Sequence, residues 1–272
     1  MQQVQVERVS LNQITTEQWD VRQAIEGCDR HGVSWISLWR HKIQEVGIQE
    51  TKRMLQAHGL QVSSLCRGGM FPARTKNERI KRIEDNKRAI DEAAELGAKV
   101  LVLVCGASGD DDLEVSRQWV LEGIEAILPY AASRGVQLGI EPLHPMYAAD
   151  RSVIVTAGEA NTLIEHFNSA HLGIVLDVFH IWWDPNIMKE IDRAHGKILG
   201  FHVSDWKVPM KDMFKGRAMM GDGVINIKKL RESVEKNGYC GPVEVEIINQ
   251  DLWNQPGDDV LVQMKERFIE HV

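Results

Sequence analysis

Eight short apolar runs alternate with amphipathic stretches along the 272 residues, and this alternation predicts a (β/α)8 barrel of parallel strands. Two further observations separate that fold from its main competitor, the doubly wound open sheet. Helix-to-strand joints are short and carry Gly or Asn before strands two to five and again before strand eight, whereas strand-to-helix loops are longer. An open sheet would also carry a glycine-rich phosphate turn after its first strand, and residues 10–17 contain no glycine.

The elements follow in order. The first strand falls over 6–11, and 19–31 is the helix behind it, stopped at Gly32. The β-branched and aromatic run 33–39 is the second strand, followed by helix 46–58 and Gly59. Strand 60–66 leads through a polar loop, 67–76, into a long amphipathic helix over 78–96. Gly97 ends that helix, and 99–105 is a nearly all-apolar fourth strand. Acidic residues in loop 106–112 are well placed for the start of helix 113–134. Beyond Gly135 the pattern repeats as strand 136–141, helix 156–168, strand 172–177, helix 187–195 and strand 198–203. A long loop, 204–226, precedes helix 227–237, strand 243–248 and the closing helix 258–271. No linker or composition shift divides the chain, so residues 1–272 read as a single domain.

Hydrophobic residues at 43% and charged residues at 26% give the balance of a soluble globular protein. A formal net charge of −7 without a long basic run argues against a nucleic-acid partner. No apolar stretch approaches membrane-spanning length, and the polar start 1–7 does not resemble a signal peptide, so no membrane partner is expected. Cys28, Cys66, Cys105 and Cys240 lack metal-finger or redox-pair spacing and read as reduced, mostly buried thiols. The expected compartment is the cytoplasm.

Chemistry in such a barrel gathers at the C-terminal ends of the strands. Glu141, Asp177 and His202 each stand where an apolar run stops, on the fifth, sixth and seventh strands. On the eighth, Glu244 and Glu246 are two apart and share a face. Glu246 lies nearer the C-terminal end and is the better ligand, with Glu244 a deeper partner that orients a neighbour. Charges converging on one pocket repel unless a cation or hydrogen bonds satisfy them. An oxygen-rich set with one imidazole suits one divalent ion, whether manganese, magnesium, cobalt or zinc.

Further residues lie around these ends. His180 follows Asp177 by one turn, and His144 follows Glu141 in a loop stiffened by Pro142 and Pro145. His180 reads as an ordinary loop or core histidine or as a substrate or proton-handling group, and the stiff loop would position His144 to face a substrate. Arg217 sits among glycines in the long loop, where tight turns allow it to fold over an anionic or polyhydroxylated ligand. Trp39, Trp182, Trp183, Trp206 and Trp253 lie at or after strand ends and would offer an apolar wall to a sugar face.

The pieces Gly139-Ile-Glu-Pro-Leu-His, Leu176-Asp-Val-Phe-His, Gly200-Phe-His-Val-Ser-Asp, Gly216-Arg, Gly221-Asp-Gly and Gly241-Pro-Val-Glu-Val-Glu-Ile make the chain recognisable. It resembles the xylose-isomerase-like barrel superfamily of sugar phosphate isomerases and epimerases, which includes tagatose epimerases and inosose dehydratases. The resemblance implies a metal set of Glu141, Asp177, His202 and Glu246, with manganese the frequent ion. It implies that Glu141 and Glu246 double as acid/base catalysts on opposite faces of the substrate, and that His180 and Arg217 hold substrate hydroxyls. The superfamily also holds nucleases that repair abasic DNA, which need histidines at strand ends three and four. Here those ends read Ser64-Leu-Cys-Arg-Gly-Gly and Leu103-Val-Cys-Gly-Ala-Ser, without one. Resemblance further reaches enzymes that cleave 3-oxo C-glycosides with a small β partner; in these a histidine placed like His144 is the base.

Three readings stand. The first is a metal-dependent isomerase or epimerase acting on a ketose or oxo-sugar through an enediolate, with Glu141 and Glu246 exchanging the proton. The alternative is a lyase, in which the same enolate forms with His144 as base and expels a β-substituent, as in inosose dehydration or 3-oxo-glycoside cleavage. A non-catalytic sugar-binding barrel is the third, weakened by the cost of a pocket of unpaired carboxylates. The apolar stretch 206–214 and Met219-Met220 in the long loop point to a homo-oligomer or a complex with a small partner subunit, unless they fold inward as a lid. Trp39 and Trp206 are expected at the substrate.

Overall fold

Strands buried on both faces favour apolar residues, and the run 100–104, Val-Leu-Val-Leu-Val, is apolar throughout. In the computed structural model, which describes residues 6–110 and 112–272, the strands are β1 (Val9–Asn12), β2 (Trp35–Trp39), β3 (Gln61–Gly69), β4 (Val100–Val104), β5 (Gln137–Ile140), β6 (Leu172–Asp177) and β7 (Ile198–Val203). A separate antiparallel ribbon joins β8 (Asp205–Trp206) to β9 (Arg217–Ala218), and β10 (Val243–Val245) completes the set. The strands close in the order β1-β10-β7-β6-β5-β4-β3-β2. Every neighbour in that ring is parallel. This is the (β/α)8 barrel that the alternation predicts. The polar start over 1–5 and Asp111 in loop 106–112 lie outside the described residues.

Caps set the helix boundaries. Thr75 and Glu78 close a reciprocal capping box on Lys76–Leu96, and Asp20 with Gln23 does the same for Val21–Arg30. Thr156 and Glu159 cap Ala157–Phe167. The predicted helix 46–58 is Ile48–Ala57, and a further helix that the sequence reading did not include, Arg40–Val46, precedes it across Gly47, which turns at φ +92°. The predicted first strand is shorter at its start, where Val6–Arg8 makes a 3-10 turn.

Strand three departs most from expectation. It runs past Cys66 to Gly69 rather than yielding to a loop at Arg67. Its pairing with β4 shifts register between Cys66 and Gly68, the mark of a bulge. Asn86, buried on the helix Lys76–Leu96, holds the extension by accepting the Gly69 N–H at 2.6 Å and donating to the Gly69 carbonyl at 2.7 Å. A Cβ at Gly69 would stand 2.1 Å from the Val104 carbonyl oxygen, so no other residue fits. Arg67 is thereby carried to the mouth of the barrel.

The core has two compartments. Most of the apolar side chains, among them Leu11, Ile25, Ile36, Leu101 and Phe268, fill the layer between strands and helices. A small cluster of Cys66, Val100, Val102 and Val175 fills the barrel interior beneath Trp39. Gly139 on β5 leaves room for it, since a Cβ there would meet Val175 Cγ2 at 2.6 Å. All four cysteines are free; Cys28, Cys66 and Cys105 are buried and Cys240 is exposed. Among the described residues no helix is long and apolar enough to cross a membrane. Met219 and Met220, expected in an association surface, fold into the core instead.

Candidate metal centre

The barrel brings together four side chains from consecutive strands. Glu141 follows β5, Asp177 ends β6, His202 lies on β7 and Glu246 follows β10. One ligand atom from each lies within 4.8 Å of the other three, and all four residues are buried. His202 Nδ1 is 2.8 Å from Glu246 Oε2 and 3.3 Å from Glu141 Oε1. Its Nε2 is 3.1 Å from Glu244 Oε2, off the line of the N–H bond, so the contact is electrostatic rather than an aligned hydrogen bond. Glu244 in turn accepts from Asn12 Nδ2 at 3.3 Å, and Asn12 Oδ1 accepts the Trp39 indole N–H at 2.7 Å. Glu244 thus sits beneath the cluster and turns Nδ1 of His202 toward Glu141 and Glu246.

Arg217 ties the other side. Its Nη1 donates to Asp177 Oδ2 at 2.7 Å and to the Glu246 carbonyl at 3.0 Å. The second Asp177 oxygen accepts the Phe179 N–H at 2.9 Å, which caps the short helix Val178–Ile181. Nη2 of Arg217 lies 3.0 Å from His180 Nε2, while the His144 backbone N–H points at His180 Nδ1 from 3.2 Å. A neutral imidazole has one lone pair to give, so these two donors compete for it.

Burial and charge pull the groups apart. Burial raises the Glu141 carboxyl to about 7, with Glu246 adding to the rise and His202 opposing it. Burial also raises Asp177, against the pull of Arg217. For Glu246 burial is outweighed by Arg217 and His202, and the group is held below its ordinary value. Burial opposes charge on His202, yet Glu244, Glu141 and Glu246 together hold it well above the usual imidazole range. His180 is pushed well below that range by burial, and Arg217 adds to the effect.

The donor set fits a divalent cation. Three carboxylates and one imidazole nitrogen converge, and Glu141 Oε1 is buried without a hydrogen-bond partner among the described residues. An orphaned carboxylate oxygen inside a ring of acceptors is a position that a cation would satisfy.

Beside the cluster opens a cavity of about 270 Å³ walled by Glu141, Glu246, His180, Arg217, Trp39 and Trp253. Cys66, Arg67, Tyr147, Arg151 and Phe214 also face it, and the sequence reading singled out none of them for the site. Arg67 could have been found, since it follows directly on the predicted third strand; Tyr147 ends the short 3-10 turn Pro145–Tyr147 and Arg151 follows it, neither with a periodic signal. His144 and Trp206 are not on this wall. They form a second layer, with ring centroids 5.1 Å apart, where Trp206 stacks on Phe179 at 4.8 Å and His144 meets Trp183 at 5.5 Å. Trp182 joins the same layer, 5.5 Å from Trp206. Of the five tryptophans expected at the mouth, Trp39 and Trp253 reach the cavity.

Known proteins resemble the chain in both sequence and fold. It is 24% identical over 207 residues to L-ribulose-5-phosphate 3-epimerase UlaE of Escherichia coli O1:K1, covering 74% of this chain and 68% of that one. It is 23% identical over 280 residues to inosose isomerase of Halalkalibacterium halodurans, covering 97% and 96%. The crystal structure of protein SMc04130 from Sinorhizobium meliloti 1021 is 44% identical and superposes with a TM-score of 0.96 over 98% of this chain and 99% of that one. The model of the xylose isomerase-like TIM barrel family matches residues 25–269, and the chain belongs to that family.

Proposed function

We propose that the protein is a divalent-metal-dependent isomerase or epimerase of a ketose or oxo-sugar. The observation that carries this reading is the placement of Glu141 and Glu246, two buried carboxylates of the metal cluster that also wall one cavity together with His180 and Arg217. The relatives named above, an epimerase and an isomerase of sugars, support the same class.

A divalent ion held by Glu141, Asp177, His202 and Glu246 would polarise the substrate carbonyl and lower the cost of negative charge on its oxygen. The protein's own groups do the rest. One of the two glutamates takes the proton from the carbon next to the carbonyl, leaving an enediolate, and the other returns a proton from the opposite face. Arg217, anchored on Asp177 and the Glu246 carbonyl, fixes where Glu246 stands and offers its remaining N–H groups to substrate hydroxyls. Trp39 and Trp253 exclude water and present apolar faces to the sugar carbons. The ion is proposed as manganese first, with magnesium, cobalt or zinc as alternatives. The cytoplasm is the proposed compartment, and residues 1–272 the proposed single domain.

The lyase reading requires His144 at the reacting carbon, and its ring packs in the second layer instead. The test is metal analysis of the purified protein followed by deuterium wash-in from heavy water over a panel of oxo-sugars. Isomerisation or epimerisation conserves mass apart from the exchanged hydrogen. Loss of water or of an aglycone would replace this reading with elimination.

A further inference from the structure

Two guanidiniums on the cavity wall have no part in the reaction proposed above. Arg217 is committed to Asp177, and Arg40 in the adjoining groove is bound by both Asp85 and Glu92. Arg67 and Arg151 are different. Both line the cavity that Glu141 and Glu246 wall. Among the described residues neither side chain has a carboxylate within ion-pair distance or a hydrogen bond from its guanidinium.

Each is nonetheless held in place. The Arg151 guanidinium lies over the Phe214 ring, 3.8 Å from its centroid, and 5.5 Å from that of Tyr147. Aromatic faces take its flat side and leave the N–H edge unused. Arg67 is half-buried at the bulged end of β3, where the cavity meets a second groove of about 370 Å³ that carries Lys81 and Arg82. Burial is the main cause that pulls its pKa down, with Arg151 adding to the fall and Cys66 and Glu141 opposing it. A guanidinium keeps its proton regardless, so a site of this kind stays positive. Cations drawn from water without a counter-charge cost stability unless a ligand brings one.

We infer that Arg67 and Arg151 receive the carboxylate or phosphate of an anionic oxo-sugar, so that the substrate class of this centre is acidic rather than neutral. The inference rests on the function proposed above and adds the charge of its substrate. Both anions match the guanidinium fork, and both would sit at the far end of a cavity whose near end holds the reacting carbon.

Calorimetric titration of the full-length metal-loaded protein tests it with four probes: L-ribulose, L-ribulose 5-phosphate, D-fructuronate and inorganic phosphate. At least one charged sugar should bind about tenfold or more tighter than L-ribulose, since a hydrogen bond to a charged group contributes on that scale. Whichever is preferred identifies phosphate or carboxylate. In the double variant Arg67→Gln/Arg151→Gln the gap should close to below about twofold, with metal content and melting temperature retained as evidence of folding. Inorganic phosphate should compete with the preferred sugar in the wild type and not in the double variant, which separates the wall site from direct capture by the ion. Charged sugars that bind no tighter than L-ribulose, an advantage that survives in the double variant, or no binding by any probe would each overturn the inference. Heavy-water exchange on the same sugars keeps the two readings apart. A binding advantage without proton exchange sinks the isomerase reading, whereas exchange on L-ribulose without an advantage for charge sinks this inference alone.

Discussion

At the scale of single residues the site is a balance of opposite charges, and removing any one upsets the rest. Changing Glu141, Asp177, His202 or Glu246 to Ala is expected to lower bound metal and remove activity, measured by elemental analysis and by proton exchange. A His202→Ala protein with full metal and full rate would contradict the assignment. Glu244→Gln keeps the shape but weakens the pull on His202, so metal affinity should fall about 10- to 100-fold while the fold persists. For His144→Ala the second-layer position leads us to expect intact metal and a rate within about tenfold of wild type. A loss of about a thousandfold with metal retained is instead the size expected of a general base, and would restore the lyase. Glu141, Asp177 and His202 stand where apolar runs stop and Glu246 shares a strand face with Glu244, so length and period point to these positions, while their grouping as one metal set comes from the resemblance. Arg67 and Arg151 were not legible. Arg67 does follow a predicted strand, but what marks both is the lack of an ionic partner among the described residues, a property of the folded neighbourhood that no spacing records. Trp206 and His144 show the converse, following strand ends in sequence yet packing on one another.

Elements were read well where propensity and burial agree. Strands six and seven have the predicted bounds, and a polar residue, His171 or Lys197, stands directly before each apolar run. The third strand was read short because Arg67-Gly68-Gly69 has the composition of a loop. Tertiary contacts override it, with Asn86 supplying from a helix the hydrogen bonds that pin Gly69. Asn86→Ala would leave the Gly69 N–H and carbonyl without those partners in a buried place. We expect a loss of about 1–3 kcal/mol, read as a lower urea midpoint at unchanged slope. An unaltered midpoint would mean that the bulge holds itself.

For the whole molecule, closure of the barrel leaves the loop after β7 as the largest irregular feature. Val208, Met213 and Phe214 stay exposed on it, at 67%, 46% and 36% of their surface. We expect a homo-oligomer or a complex with a small partner through this side, tested by light scattering. A fully active monomer would remove the idea. The same loop is anything but loose at its far end. The Asp205 carboxylate accepts the N–H groups of Gly221, Gly223 and Ile225, each at 3.0 Å, and β9 presents Arg217 directly to Asp177. One carboxylate therefore works as a latch, and the hand it closes is the one that grips the proposed metal ligands. If the latch opened, Arg217 would lose its register, and Asp177 and Glu246 would lose their shared neighbour together. Asp205→Asn should then speed hydrogen exchange at those three amides and slow turnover, while the amides of the barrel strands stay protected. In this molecule the order of a surface loop and the readiness of a buried centre would be one equilibrium seen from two ends.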